Sequence, residues 1–244
     1  MDPETILSET DCGKERTPSE LAQWVEEKND LFRHTKEGRK YLAQRKGLAE
    51  RFVDVIFPLC HLAQYLFGRR LDVVCKATLA DEVFDALVID YRDRPLRVQQ
   101  AQFSHAILCY EEYVRRLCVP EGVHVPALSK LLGREVRKHP DKGRSDDEAV
   151  TQIVLINKAL ELIAGTARSK VGRSYGKDAW LVIIFDDYAT FRTPADMATL
   201  RRFVHTEILP LHLDFGRLFL VGWSGETVMG FALGGTALKK AEHG

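Results

Sequence analysis

Residues 84–103 read FDALVIDYRDRPLRVQQAQF. Two short apolar runs rich in Val and Ile are joined by a charged turn at residues 92–95, which is the pattern of a β-hairpin. Apolar residues on both faces of 84–91 predict a central strand with cover on each side. Asp85 sits inside that run. An unpaired buried charge is costly, so this carboxylate is expected to be paired, to cap a backbone group or to hold a cation. On the opposing strand Gln99 and Gln100 stand where Val or Ile would ordinarily be found. The sheet is therefore expected to carry a centre more polar than packing requires.

The rest of the chain supplies layers for that sheet. Thr17-Pro-Ser-Glu20 has capping-box spacing, and Leu21, Trp24, Val25 and Leu31 follow on a short amphipathic helix that runs to about residue 34. This N-terminal arm is expected to pack either on the core or on a second subunit. A longer helical pattern covers about residues 37–67, with Pro58 predicted to kink it. Glu50 and Asp54 lie one turn apart on it and share a face. Residues 71–79 read as the first strand, and Asp81-Glu82 as the turn into the second. After the hairpin, Ser104 is expected to cap a helix over 105–118. Ser145-Asp-Asp-Glu148 is a second capping box, opening the strongest helical pattern in the chain, with Ile153, Ile156, Leu160, Ile163 and Ala167 at three- and four-residue intervals. Residues 180–185 are a continuous apolar run, best read as a buried strand. Thr193-Pro194 starts a helix to about residue 207, and 217–223 with 226–233 close the chain as a hairpin around Ser224-Gly225. The order predicts an α/β fold, a mixed central sheet flanked by helices. Residues 1–36 are expected to form a tail and helical arm, and residues 37–238 a single domain.

Composition excludes several classes. Lys plus Arg and Asp plus Glu both number 35 in 244 residues, so no global field draws the protein to nucleic acid or to an acidic membrane, and any basic surface is local. The five cysteines are odd in number and form no C-x-x-C pair, which suits reduced core thiols in a cytoplasmic protein. No apolar run approaches about 18 residues, so no membrane partner is expected.

The hairpin resembles the PD-(D/E)XK nuclease-like superfamily, in which an Asp at one strand's start and an acidic-x-Lys triplet on the next hold a divalent metal. Asp85 falls at the Asp, Gln99 where Glu is usual, and Ala101 where Lys is usual. Wider features are also similar to small bacterial members: Pro58-Leu59 before the Asp strand, Arg115 and Gly122-Val123 after the hairpin, and Lys170 with Tyr175-Gly176 leading into an apolar strand. The resemblance covers roughly residues 48–233 and implies a restriction-endonuclease-like fold. It also implies a protein that acts on or binds nucleic acid. In an active member Asp85 and the carbonyl of Gln100 would hold Mg2+, Gln99 would be a neutral third group, and Glu50 would be the Glu that the first core helix often supplies. Such an ion lowers the pKa of its water and stabilises the leaving oxygen. An amide in place of a carboxylate weakens that metal binding, and Ala101 removes the usual Lys. A catalytically inactive binding scaffold with the same fold is the corresponding alternative, in which Gln99, Gln100 and Gln102 only hydrogen-bond loops over a sheet end.

Two other groups of residues stand out. Lys170, Arg173 and Lys177 cluster at a helix end, where they favour the helix dipole or grip nucleic-acid phosphates. His139-Pro140-Asp141-Lys142 is identical to the loop of J-domain co-chaperones and resembles that family over the surrounding helices. That resemblance implies an ATP-driven chaperone as partner, contacted through His139, Pro140 and Asp141. Leu132 and Leu160 depart from its expected aromatic positions.

Overall fold

A computed structural model of the chain describes residues 6–44, 46–78, 82–92, 96–107, 144–187 and 190–233. Its centre is a six-stranded sheet in the order β1(Val73–Ala77), β2(Ala86–Asp90), β3(Arg97–Ala106), β4(Gly176–Phe185), β5(Phe215–Gly222), β6(Val228–Ala232). Strands β1 to β3 form an antiparallel meander, β3, β4 and β5 run parallel, and β6 returns antiparallel to β5. The protein is thus an α/β protein with a mixed sheet and helices on both faces.

The continuous apolar run in β4 follows from that position. Trp180, Val182 and Ile184 point to one face and Leu181, Ile183 and Phe185 to the other, and both faces are covered. On the first face lie α2(Pro18–His34) and a long helical segment built from α4(Leu48–Arg51), a π turn at Phe52–Ile56 and α5(Phe57–Phe67). They are preceded by α1(Glu9–Cys12), and α3(Lys36–Gln44) lies between them in the chain. On the second face lie α6(Arg144–Arg168) and α7(Pro194–Phe203), which bury Ile156, Leu160, Ile163 and Leu200 against Leu181, Leu218 and Leu220.

The N-terminal arm packs on the core. Leu21, Trp24, Val25 and Phe32 join the same apolar cluster as Val73, Val88 and Phe103, and the arm's Arg16 pairs with Cys75 of β1 through two backbone hydrogen bonds. Its capping box is fully formed, with Glu20 N–H donating to Thr17 Oγ1 and Thr17 N–H donating to the Glu20 carboxylate. Cys12, Cys60 and Cys75 are free and buried. Burial pushes the Cys12 thiol up to about 11 and the Cys60 and Cys75 thiols up to about 12, so all three are inert core groups at neutral pH.

Pro58 acts by widening the helix. Proline has no N–H to give and its ring crowds the carbonyl four residues back. The turn before it opens into a π turn, closed by Phe57 N–H on the Phe52 carbonyl. The same device recurs at Val204–Ile208, where Leu209 N–H bonds the Val204 carbonyl just before Pro210.

Several boundaries differ from expectation: the helical pattern over 37–67 is divided between α3 and the α4–α5 segment, β4 begins at Gly176 rather than at 180, and β1 and β2 are shorter than the runs that predicted them. Ser104 does not open a helix at residue 105. Strand β3 continues to Ala106, because Ser104, His105 and Ala106 pair with Ile183, Ile184 and Phe185 of β4. A parallel partner some 80 residues away overrides the local capping signal. Later in the same crossover, α6 starts at Arg144, one residue before the expected cap. Residues 108–143, which carry Arg115, Gly122-Val123 and the His139-Pro140-Asp141 loop, lie outside the described residues.

Candidate functional site

Asp85 immediately precedes β2, and the backbone holds it on both sides. Its N–H donates to the Ala101 carbonyl at 3.0 Å, and its carbonyl accepts from Thr78 N–H at 3.0 Å. The carboxylate is both paired and a backbone cap. Its Oδ2 accepts from Phe103 N–H at 2.8 Å and from the Gln102 side-chain amide, and its Oδ1 accepts from Arg51 Nη1 at 3.1 Å.

Arg51 arrives from the last residue of α4. Its Nη2 spans the gap between β1 and β2, donating to Thr78 Oγ1 at 2.8 Å, to the Asp85 carbonyl at 2.9 Å and to the Thr78 carbonyl at 2.5 Å. One guanidinium therefore ties a helix to two strand ends. Charge-assisted bonds of this kind are the strong class, and Arg is suited to them by its planar fork of donors.

A cavity of about 470 Å³ opens beside the pair. It is lined by Glu9, Glu50, Arg51, Asp54, Asp85, Gln102, Phe103 and His105 among others. His105 Nε2 lies 3.7 Å from Asp54 Oδ1. The lining lies where β3 ends and β2 begins, the edge at which α/β sheets commonly present ligand sites.

The residues singled out in the sequence divide around this cavity. Asp85 and Glu50 both line it. Gln99 does not: it pairs with Val88, three residues short of Gln102, and is buried at 6 % exposure with no acceptor for its Nε2 among the described residues. Ala101 is fully buried between Ala86 and Trp180. Gln100 lies between Leu87 and Ala179, inside the ladder on both sides, so its carbonyl belongs to the sheet. Lys177 stands five residues before Val182, the β4 partner of Phe103, which places it about 17 Å down the sheet from the cavity. It pairs with Asp214 at 3.4 Å, whereas Arg173 is exposed just before it. Lys170 N–H closes the end of α6 on the Ala167 carbonyl.

The residues around Asp85 do not fit a divalent ion. Both carboxylate oxygens are engaged by protein donors, one of them a cation, and hard cations need such oxygens free. Among the described residues no three His, Cys, Asp or Glu side chains converge as a metal group. Arg51, which the sequence reading missed, takes the role of counter-charge. Its only sequence signal is a cation set directly before the apolar stretch Phe52, Val53, Val55 and Ile56.

Comparison with known protein families, with curated proteins and with solved structures returned no match to this chain. The fold and site define an α/β protein with a six-stranded mixed sheet, bearing at the end of β3 a cavity lined by four carboxylate side chains together with Arg51 and His105. Among the described residues no helix is long and apolar enough to cross a membrane.

Proposed function

We propose that this chain is a nuclease-like scaffold that binds nucleic acid without hydrolysing it. The observation that carries the reading is the Arg51–Asp85 pair. In the PD-(D/E)XK arrangement, which the three-strand meander and flanking helices resemble, the Asp at the strand start serves a metal; here it serves a guanidinium. Gln99 and Ala101 stand in place of the acidic and Lys groups, and neither reaches the cavity. On this reading the fold is retained while the groups that would hold the metal and stabilise the developing charge are replaced.

Binding is assigned to Lys170, Arg173 and Lys177 at the far end of β4. Phosphate contacts by such cations release counterions, so affinity for an oligonucleotide should fall steeply as salt rises. Lys177 already has Asp214 as a partner and should contribute least.

The test is a cleavage and binding assay on single- and double-stranded oligonucleotides with Mg2+ or Mn2+. The expected result is binding that weakens with salt and is lost when all three cations become Ala, with no cleavage. Divalent-dependent cleavage that vanishes in Asp85→Ala would establish an active nuclease instead. His139→Gln should leave binding unchanged; its loss would point to the loop.

A further inference from the structure

The two outer strands of the sheet are finished differently. Beyond β1, Arg16 of the N-terminal arm pairs with Cys75 through two backbone hydrogen bonds, and Lys76 puts a charge on the strand. Both features keep a sheet edge from pairing with another chain. Among the described residues β6 has neither. Its sequence, Val228-Met-Gly-Phe-Ala232, contains no charge and no proline.

The register shows which backbone groups of β6 face outward. Leu233 N–H donates to the Gly216 carbonyl at 3.1 Å, and Gly222 N–H donates to the Thr227 carbonyl at 2.7 Å. Bonded pairs alternate along an antiparallel ladder, so Met229 and Phe231 also direct their backbone groups to β5, opposite Leu220 and Leu218. Val228, Gly230 and Ala232 therefore turn their N–H and C=O groups away from it. Among the described residues none of those groups has a hydrogen-bond or strand partner. All three residues are partly exposed.

An extended strand is what such an edge accepts, and this edge is its own complement. The outward residues stand symmetrically about Gly230. In an antiparallel pairing of two copies about a two-fold axis at that glycine, Val228 of one copy lies opposite Ala232 of the other, and Gly230 opposite Gly230. Every outward N–H then meets an outward C=O. No like charges meet, and Phe219 keeps the central position free of a side chain, since a Cβ there would lie 2.8 Å from Phe219 Cε1. The chain carries no net charge, so two copies approach without mutual repulsion. An unrelated peptide is selected by pockets beside the strand it joins. Met229 and Phe231 are buried in the core, and no residue lining the cavity at the end of β3 comes from β6.

We infer that this protein forms a two-fold dimer in which β6 pairs antiparallel with β6 of a second copy, joining the two sheets into one. The inference does not rest on the nucleic-acid reading. Pairing along so short a strand belongs to the weak, concentration-dependent class of interface.

The experiment is sedimentation equilibrium of the full chain from about 1 μM to about 1 mM. Wild type should pass from monomer to dimer and stop there, because a two-fold interface closes on itself. Ala232→Pro removes an N–H that faces outward and none that β5 uses, so the monomer should keep its circular dichroism spectrum. Its dimer dissociation constant should rise about tenfold or more, the bond being lost twice by symmetry. A cross-link decides the matter even if that variant fails to fold. Positions 228 and 232 are about 13 Å apart in one strand, too far for a disulfide within one chain, but they face each other across the two-fold. Under mild oxidation a mixture of Val228→Cys and Ala232→Cys should link into dimers, and each variant alone should link no more than wild type. Wild type that stays monomeric throughout, folded Ala232→Pro that dimerises as strongly as wild type, or a mixture that does not link would overturn the inference. So would slow amide exchange at Val228, Gly230 and Ala232 in the monomer, which would show that the chain covers its own edge.

Discussion

Arg51 and Asp85, 34 residues apart in the chain, meet at 3.1 Å, and the same guanidinium also bonds the Asp85 and Thr78 carbonyls. Both side chains are about a fifth exposed, so removing one leaves the other largely desolvated. Arg51→Ala should lower stability by about 3 kcal/mol, in the range for breaking a buried pair. Asp85→Asn should cost less, since an amide can still accept from Phe103 N–H. Urea denaturation of Arg51→Ala, Asp85→Ala and the double variant should show coupling of about 1–3 kcal/mol. Additive effects would mean that the two residues stabilise the protein independently.

Asp11 fastens the N-terminal arm. Burial raises its carboxyl pKa, but the Trp24 indole hydrogen bond and the Arg16 and Lys28 charges outweigh it, leaving the group below its ordinary 3.8. A depressed carboxyl stabilises the fold above its unfolded pKa, and that contribution is lost as pH falls through the folded value. Trp24 fluorescence should therefore change as pH is lowered below about 4. Asp11→Asn should show the released signal already at neutral pH and a flatter acid limb.

His61 carries the opposite kind of group into the core. Burial holds its pKa below 6.5, with the Asp187 carboxylate offsetting part of the shift, and its Nε2 has no hydrogen-bond partner among the described residues. Below pH 6.5 the unfolded chain binds a proton that the folded chain resists. The folded state thus loses stability as pH falls from 6.5 toward the folded value. Denaturation at pH 7 and pH 5 should show a larger drop for wild type than for His61→Leu. Equal drops would place the pH dependence elsewhere.

Gly225 closes the β5–β6 turn at φ +76°, and a Cβ there would overlap the His61 ring. Gly225→Ala should be strongly destabilising for two separable reasons. In Gly225→Ala/His61→Ala the overlap is gone, but the left-handed backbone cost of about 1–2 kcal/mol should persist. Measured against His61→Ala alone, the double variant should show only that backbone cost. A complete rescue would mean that the turn relaxes its backbone.

Local signals marked most of the elements, and long-range ones decided the site. The capping box at Thr17, the Thr193-Pro194 helix start and the apolar run of β4 name their structures because each depends on neighbours in the chain. The partner of Asp85 does not. The second strand offers Gln99 on one face and Gln100 and Gln102 on the other, and only the pairing of Ala86 with Ala101 puts Gln102 beside the carboxylate. Arg51 was illegible for the same reason: nothing near it in sequence indicates a strand end 34 residues away. The end of β3 depended on β4, whose pairing no local pattern reports.

The π turn at Phe52–Ile56 sets the angular phase of the helix on either side of it. Upstream, Arg51 is aimed at the start of β2; downstream, His61 meets the β5–β6 turn. Each residue removed from a helix rotates the downstream turns by about 100° and draws them back by about 1.5 Å. Deleting Asp54, the one residue of this turn outside the buried core, would leave the helix just as helical and the core side chains chemically unchanged. It would nevertheless make the two appointments mutually exclusive, so the turn acts as a spacer whose count matters more than its composition.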